Sequence, residues 1–408
     1  MLCVVLLLAC GTASAGALHT IDGRRVDGTL ASIDTGGKLV WVTIENKRLV
    51  MSTDEVQQID LTPARTQTGG PSSWLVTAGD MRLRGRVVRS VEAKVVWEHK
   101  TLGQMSFGFE QLRAYLPEKA GRTDAEALKE LERLMKGEAR TISGVQARLE
   151  RLVEKVREPD VVYLLNEDVI EGVVESLDAD SVGFNCKVGR LDVRGENLVG
   201  LTFSDSLAPY VAPKTTYARL TLTDGTVVTG SVKGSDAELH VVTVLGPELD
   251  VARNAVSRVE LFNTKLKQLS DMDPVFVKEI PYFDRVWHWQ RNRSVWNGPL
   301  TIASQTYESG IGMHARCQLD YQLDGKYRIF LTDVGIDEEV GDAGSCVVVV
   351  YGDGEPLMKP IEMTGKMGAY SLRLDVSKVK RLTLLADFGQ QTDAGDHVTW
   401  GNARLVRK

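Results

Sequence analysis

The residues best suited to chemistry in this 408-residue chain lie near its C-terminal end. His314 follows two glycines in "GIGMHA", and His397 stands beside Asp396 in "DHVTW". A hydrolytic centre needs a nucleophile, a base and a group that orients the base. The six histidines supply no Ser/His/Asp or Cys/His set in a recognisable context, and no two carboxylates are set as sugar hydrolysis requires. If His314 and His397 meet in space, they form either a hydrogen-bonded network tying strand ends together or a site for a metal or a sugar. His314 is read as non-catalytic. The acidic stretch "GIDEEVGDAGS", residues 335–345, has the oxygens to hold calcium but lacks the strict spacing of a calcium loop.

These residues need strands to position them. From about residue 264 the texture of the chain changes and a new domain begins. Leu319, Tyr321 and Leu323 alternate onto one face, Asp324-Gly325 turns the chain, and "KYRIFLTDVGID" supplies the next strand. The apolar run "CVVVVYGDGE" (346–355) reads as a strand buried on both faces. "YSLRLDVS", "RLTLLAD" and "DHVTWGNARLV" add more. Many strands, Gly/Asp turns and no helical period predict an all-β sandwich.

The blocks "YESGIGMHARCQLDYQLDGKYRIFLTDVGIDEE", "GSCVVVVYGDG", "SLRLDVSKVKRLTLLADFG" and "DHVTWGNARL", with "LKQLSDMDPV" at the entry, resemble the NPCBM family of carbohydrate-binding modules over 264–408. The resemblance implies a galactose-binding-domain-like jelly roll and says nothing of residues 1–263. It also implies how sugar is bound: aromatic faces cover the apolar side of a pyranose ring, and planar polar groups read its hydroxyls. Trp287, Trp289 and Trp296, three of the seven tryptophans within "VWHWQRNRSVW", are candidates for the first role. Asp337, Glu338, Asp342, Asp393 and Asp396, with His314 and His397, are candidates for the second. Alternate spacing puts Trp287 and Trp289 on one face, so at least one of them is expected to be buried. The usual partner of such a module is a glycosidase domain, and no such domain is legible upstream.

Upstream the chain repeats itself. "IDGRRVDGTLASID" (21–34), "AGDMRLRGRVVRSV" (78–91), "LNEDVIEGVVESLD" (165–178) and "LTDGTVVTGSVKGS" (222–235) each carry an apolar residue (Val26, Leu83, Ile170, Val228) two before a glycine (Gly28, Gly85, Gly172, Gly230). A large or branched apolar residue follows in each: Trp41, Trp97, Phe184, Val242. The period of two and turns such as Asp22-Gly23 and Asp224-Gly225 predict four small curled β units, the glycine marking a bend or bulge. An insertion at 118–158 reads as a helical hairpin. Capping boxes Thr123-x-x-Glu126 and Ser143-x-x-Gln146 open its helices, and Leu128, Leu131 and Met135 face Val145, Leu149, Leu152 and Val156. The hairpin would lie on the repeats or make a homo-oligomer. The expected organisation is a signal at 1–15, units one and two at 16–117, the insertion at 118–158, units three and four at 159–263 and the jelly roll at 264–408.

A net charge of -6 without a Lys/Arg stripe argues against nucleic acid as a partner. "MLCVVLLLACGTASA" reads as an export signal ending at Ala13-Ser14-Ala15, with a lipid anchor on Cys10 as the alternative. Cys186, Cys317 and Cys346 are too few for a disulfide scaffold, though a Cys317–Cys346 bridge stays open. The sequence thus predicts an exported, non-enzymatic, glycan-binding protein of the periplasm, cell surface or extracellular space, its repeats presenting a C-terminal module. The alternative is a structural or interaction component of the cell envelope without sugar binding.

Overall fold

The computed structural model describes residues 16–61, 72–136, 159–204, 213, 215–262, 265–389 and 395–408. The expected signal, Cys10, the second helix of the insertion and Asp393 lie outside them. The protein is mostly β and separates into two compact units, one holding Arg25–Phe262 with the residues up to His19, the other Asn263–Lys408 together with Thr20–Arg24. Among the described residues no helix is long and apolar enough to cross a membrane.

In the first unit each repeat is the same five-strand curl. In the first repeat its strands are Gly16–Thr20, Arg25–Ile33, Lys38–Thr43, Arg48–Ser52 and Val56–Asp60, with a 3-10 turn, Thr53–Glu55, before the last. The first strand pairs with both the second and the last, and the second, third and fourth form a meander. The other three repeats follow the same pairing.

The recurring glycine has a steric cause. A Cβ on Gly28 would lie 2.2 Å from the Val42 carbonyl and 2.5 Å from Trp41 Nε1, and one on Gly85 would lie 2.2 Å from the Glu98 carbonyl and 2.7 Å from Trp97 Nε1. The neighbouring strand's carbonyl comes too close for any side chain, and in the first two repeats the indole crosses the same bare backbone; at Gly230 the Val242 carbonyl, 2.3 Å away, does this without a ring. Gly172 stands in the same relation to Phe184. The bulges expected at the glycines fall further on, after Leu30, Val87 and Val174. The fourth repeat corrects the sequence reading by one residue. Gly230 pairs with Thr243 as Gly28 pairs with Thr43, so the equivalent of Trp41 is Val241, fully buried, while Val242 is 37% exposed.

Last strands join the repeats in pairs. Val56–Asp60 runs beside Val256–Phe262, and Leu112–Leu116 beside Leu198–Thr202, so the first and fourth repeats share one sheet edge and the second and third another. All four contribute to one apolar core, built around Trp41, Trp97, Phe107, Phe184 and Leu220. Buried His99 ties the second repeat to the fourth. Its Nδ1 accepts from Thr101 and Leu102 N–H at 3.0 Å, and its Nε2 lies 2.9 Å from Asp224 Oδ2 and from Thr226 Oγ1.

The helix Asp124–Lys136 opens with the expected capping box: Thr123 N–H donates to Glu126 Oε2 at 2.8 Å. Its buried stripe is Ala127, Leu131 and Leu134, packed on Trp74, Val76, Leu116, Val161 and Tyr163. Met135, expected in that stripe, is 51% exposed. The helix is thus covered by the sheet of the second and third repeats, in a register one position away from the one assigned to meet a second helix.

The second unit is the expected sandwich. One sheet runs Gln290–Arg291, Gly310–His314, His397–Arg407, Tyr327–Ile336, Tyr370–Asp375, and the other Phe276–Glu279, Cys317–Gln322, Arg381–Phe388, Ser345–Gly352, Glu355–Pro356. Their inner faces meet around Tyr321, Phe330, Val350, Leu384 and Trp400. Cys317 and Cys346 are free and buried. They flank opposite sides of Arg381–Phe388, two strand spacings or about 9–10 Å apart, beyond the reach of a disulfide.

Candidate functional site

The two histidines do meet. Gly310–His314 and His397–Arg407 are neighbours, and their register sets His314 opposite His397 with ring centroids 5.2 Å apart. Both residues are buried. His314 Nδ1 lies 2.5 Å from the Ala315 carbonyl, and His397 Nδ1 lies 3.2 Å from Glu339 Oε1. Burial and the neighbouring His314 bring His397 down to about 4, with Asp337 opposing. At neutral pH the ring is therefore uncharged, and the Nδ1 proton it donates to Glu339 fixes its tautomer.

Two tryptophans roof the pair. Trp296 stands at the tip of a tight turn closed by Asn297 N–H on the Ser294 carbonyl at 2.9 Å, with Asn297 at φ 69°. This places it edge-on to His397, centroids 4.7 Å apart, with the residue 51% exposed. Trp287 lies 6.1 Å from His314, 5.9 Å from His397 and 6.4 Å from Trp296. One face of its indole is covered by Arg285, whose guanidinium carbon is 3.8 Å from the ring centroid. Trp287 thus forms a wall, and Trp296 is the indole left with open surface.

Glu339 fastens the roof. Ser294 Oγ donates to its Oε2 at 2.8 Å, and the Trp296 N–H reaches Oε1 at 3.4 Å. It projects from the 3-10 stretch Glu338–Ala343, which Asp337 caps by accepting from Glu339 N–H. Asp337 is buried, accepts from Thr399 Oγ1 at 2.5 Å and from Thr301 N–H, and burial raises its pKa. Its oxygens are used within the fold.

The other candidates lie apart from this roof. Trp289, expected on one face with Trp287, packs half-buried against the sandwich core, with its N–H on Glu279 and Arg291 over its ring. The segment carrying the two indoles is irregular rather than extended, so alternation does not hold. Asp396 is fully buried and accepts from Gly389 N–H. Glu338 accepts from Ser304 N–H, and Asp342 is exposed. Among the described residues no group of three or more His, Cys, Asp or Glu is placed to hold a metal. Sequence reasoning missed Ser294, Arg285 and Glu339. Glu339 is one of three consecutive acids, and only the cap at Asp337 decides which turns inward.

Residues 267–406 match the NPCBM/NEW2 domain, which is the family this part of the chain resembles in sequence. A protein of Renibacterium salmoninarum, provisionally named endo-alpha-N-acetylgalactosaminidase, is 26% identical over 108 residues, 26% of this chain and 7% of that relative. The chain thus corresponds to a small part of the relative. Similar solved structures include the CBM51 of Clostridium perfringens GH95 in complex with methyl-galactose, at 25% identity and TM-score 0.32, over 35% of this chain and 99% of that one. The tandem CBM51 modules of Sp3GH98, the family 98 glycoside hydrolase of Streptococcus pneumoniae, match at 12% identity and TM-score 0.31, over 96% of this chain and all of theirs.

Proposed function

We propose that the sandwich is a non-catalytic glycan-binding module of an exported protein, and that sugar lies on Trp296 against the wall formed by Trp287, His314 and His397. The observation that carries this reading is the exposed Trp296, its backbone N–H on Glu339, its turn closed at Ser294 and its indole edge-on to His397. An apolar side chain of this size left half-open on a pre-ordered turn has the flat surface that a pyranose face needs. His397, in the tautomer fixed by Glu339, packs edge-on against Trp296 and supports the platform from below. The NPCBM/NEW2 match over 267–406 supports the ligand class. A platform without an enclosing cavity should bind one sugar weakly, at roughly millimolar Kd, and several copies on one surface would raise the effective concentration. The repeats act as the presenting body.

The test is titration of galactose-type and other neutral sugars into the full chain, and its retention on glycan-coated surfaces. Saturable binding that Trp296→Ala abolishes, with melting unchanged, supports the reading. Absence of binding to every glycan overturns it and leaves an envelope scaffold in its place.

A further inference from the structure

We propose that the site takes an acidic saccharide, with a sugar carboxylate or sulfate on Arg285 and the ring on Trp296. The proposal rests on the glycan-binding reading above. Its basis is the state of Arg285 compared with the next three arginines along the chain. Arg291 is engaged by Asp273 at 2.6 Å, Arg316 by Asp387 at 2.9 Å, and Arg293 by Asn297 at 3.0 Å. Arg285 is exposed and has one partner among the described residues, the indole of Trp287. Stacking uses the face of a guanidinium and leaves its in-plane N–H donors directed outward, the geometry that holds a planar anion by two parallel bonds.

The guanidinium is pre-positioned as well as unpaired. Trp287 is itself fixed against His314 and His397, so the cation rests on a ring that the fold holds in place. Trp296 is 6.4 Å from that ring, so the cation and the exposed residue both adjoin Trp287. Among the described residues no carboxylate is paired with Arg285. Asp337 is taken by Thr399, Glu339 by Ser294 and His397, and Glu338 by Ser304. Among the described residues, Arg285 is a cation on Trp287 with no carboxylate partner.

The test compares methyl galactoside with methyl galacturonoside, which differ only in a C6 alcohol against a carboxylate, and adds a sulfated galactoside, all titrated into the full chain. The uronide should bind about tenfold more tightly at low salt, the usual margin of a charge-assisted over a neutral hydrogen bond. The ratio should shrink as salt rises. Arg285→Met should bring the ratio to about one, and Arg285→Lys, which keeps charge but loses the fork, should fall between. A larger gain for the sulfated sugar than for the uronide assigns the anion to sulfate; the reverse assigns it to carboxylate. Equal binding of galactoside, uronide and sulfated galactoside by the parent protein, or a preference for an acidic sugar that survives in Arg285→Met, overturns this proposal while leaving glycan binding intact. Binding of no sugar overturns both.

Discussion

The repeat array and the sandwich use the same two residue types, tryptophan and histidine, in opposite ways. In the array Trp41 and Trp97 sit on regular strands with a glycine beneath each ring, fully buried. His99 has both nitrogens committed to the protein. On the sandwich rim Trp287 and Trp296 stand on irregular backbone, and Trp296 keeps half its surface open. The difference shows that local backbone, more than residue type, separates an indole that builds a core from one that meets a ligand. A strand with a glycine opposite encloses the ring, whereas a short turn presents it.

Substitutions can break this comparison, and the largest effects belong in the cores. Trp400→Ala removes a fully buried indole from the sandwich and should cost about 3–5 kcal/mol, measured by denaturant unfolding. A variant that melts like the parent would move Trp400 out of the structural class. Gly85→Ala should destabilise the array by roughly 2–3 kcal/mol, because the added carbon meets a carbonyl and the Trp97 ring, and Gly85 sits at φ 157°. Trp97→Ala in the same chain should relieve only the part of that cost owed to the ring, because the Glu98 carbonyl stays 2.2 Å from the added carbon; no relief at all would mean that the ring excludes nothing.

What the sequence made legible follows the same division. Period-two alternation and the Gly/large-apolar spacing fixed the four β units, because both are local consequences of strand geometry. That the two histidines face each other on neighbouring strands was left open by the sequence and follows from the strand order. The spacing failed by one residue at Val242, where no indole marks which residue faces inward. Helix register failed at Met135 because Ala127, Leu131 and Leu134 make an equally regular stripe. The roof over the histidines was not readable. Its members sit on turns, and the inward choice of Glu339 over Glu338 depends on a cap and on partners at Ser294 and His397 that are distant in sequence.

A smaller effect sharpens the rim side of the comparison. Trp296→Ala removes an exposed indole, so its melting should stay within about 0.5 kcal/mol of the parent. Retention on the best glycan should nevertheless fall about tenfold or more, the loss expected when an aromatic platform is truncated. A large drop in melting with binding retained would make Trp296 a packing residue. Trp289→Ala is the control: it packs on the core, so it should lower stability before it alters binding.

The smallest effect tests the histidine pair through pH. His397 titrates at about 4 in the folded protein, against an ordinary value near 6.5, because burial and His314 oppose its charge. Between those two values the unfolded chain binds the proton and the folded one does not. Folding stability therefore falls as pH drops from about 6.5 towards 4 and levels off below, with a slope of at most roughly 1.4 kcal/mol per pH unit for one proton. Asp337 has the opposite sign. Its raised value makes the folded state the better proton binder above the ordinary carboxylate range, so its contribution declines as pH rises. Comparing the parent with His397→Gln between pH 7.5 and 4 removes the Asp337 term, which both proteins share to first order. The parent should lose more stability over that span than the variant. Parallel curves would mean that His397 is protonated within the fold at mild acidity, paired as a cation with Glu339, and that the neutral tautomer assigned to it is wrong.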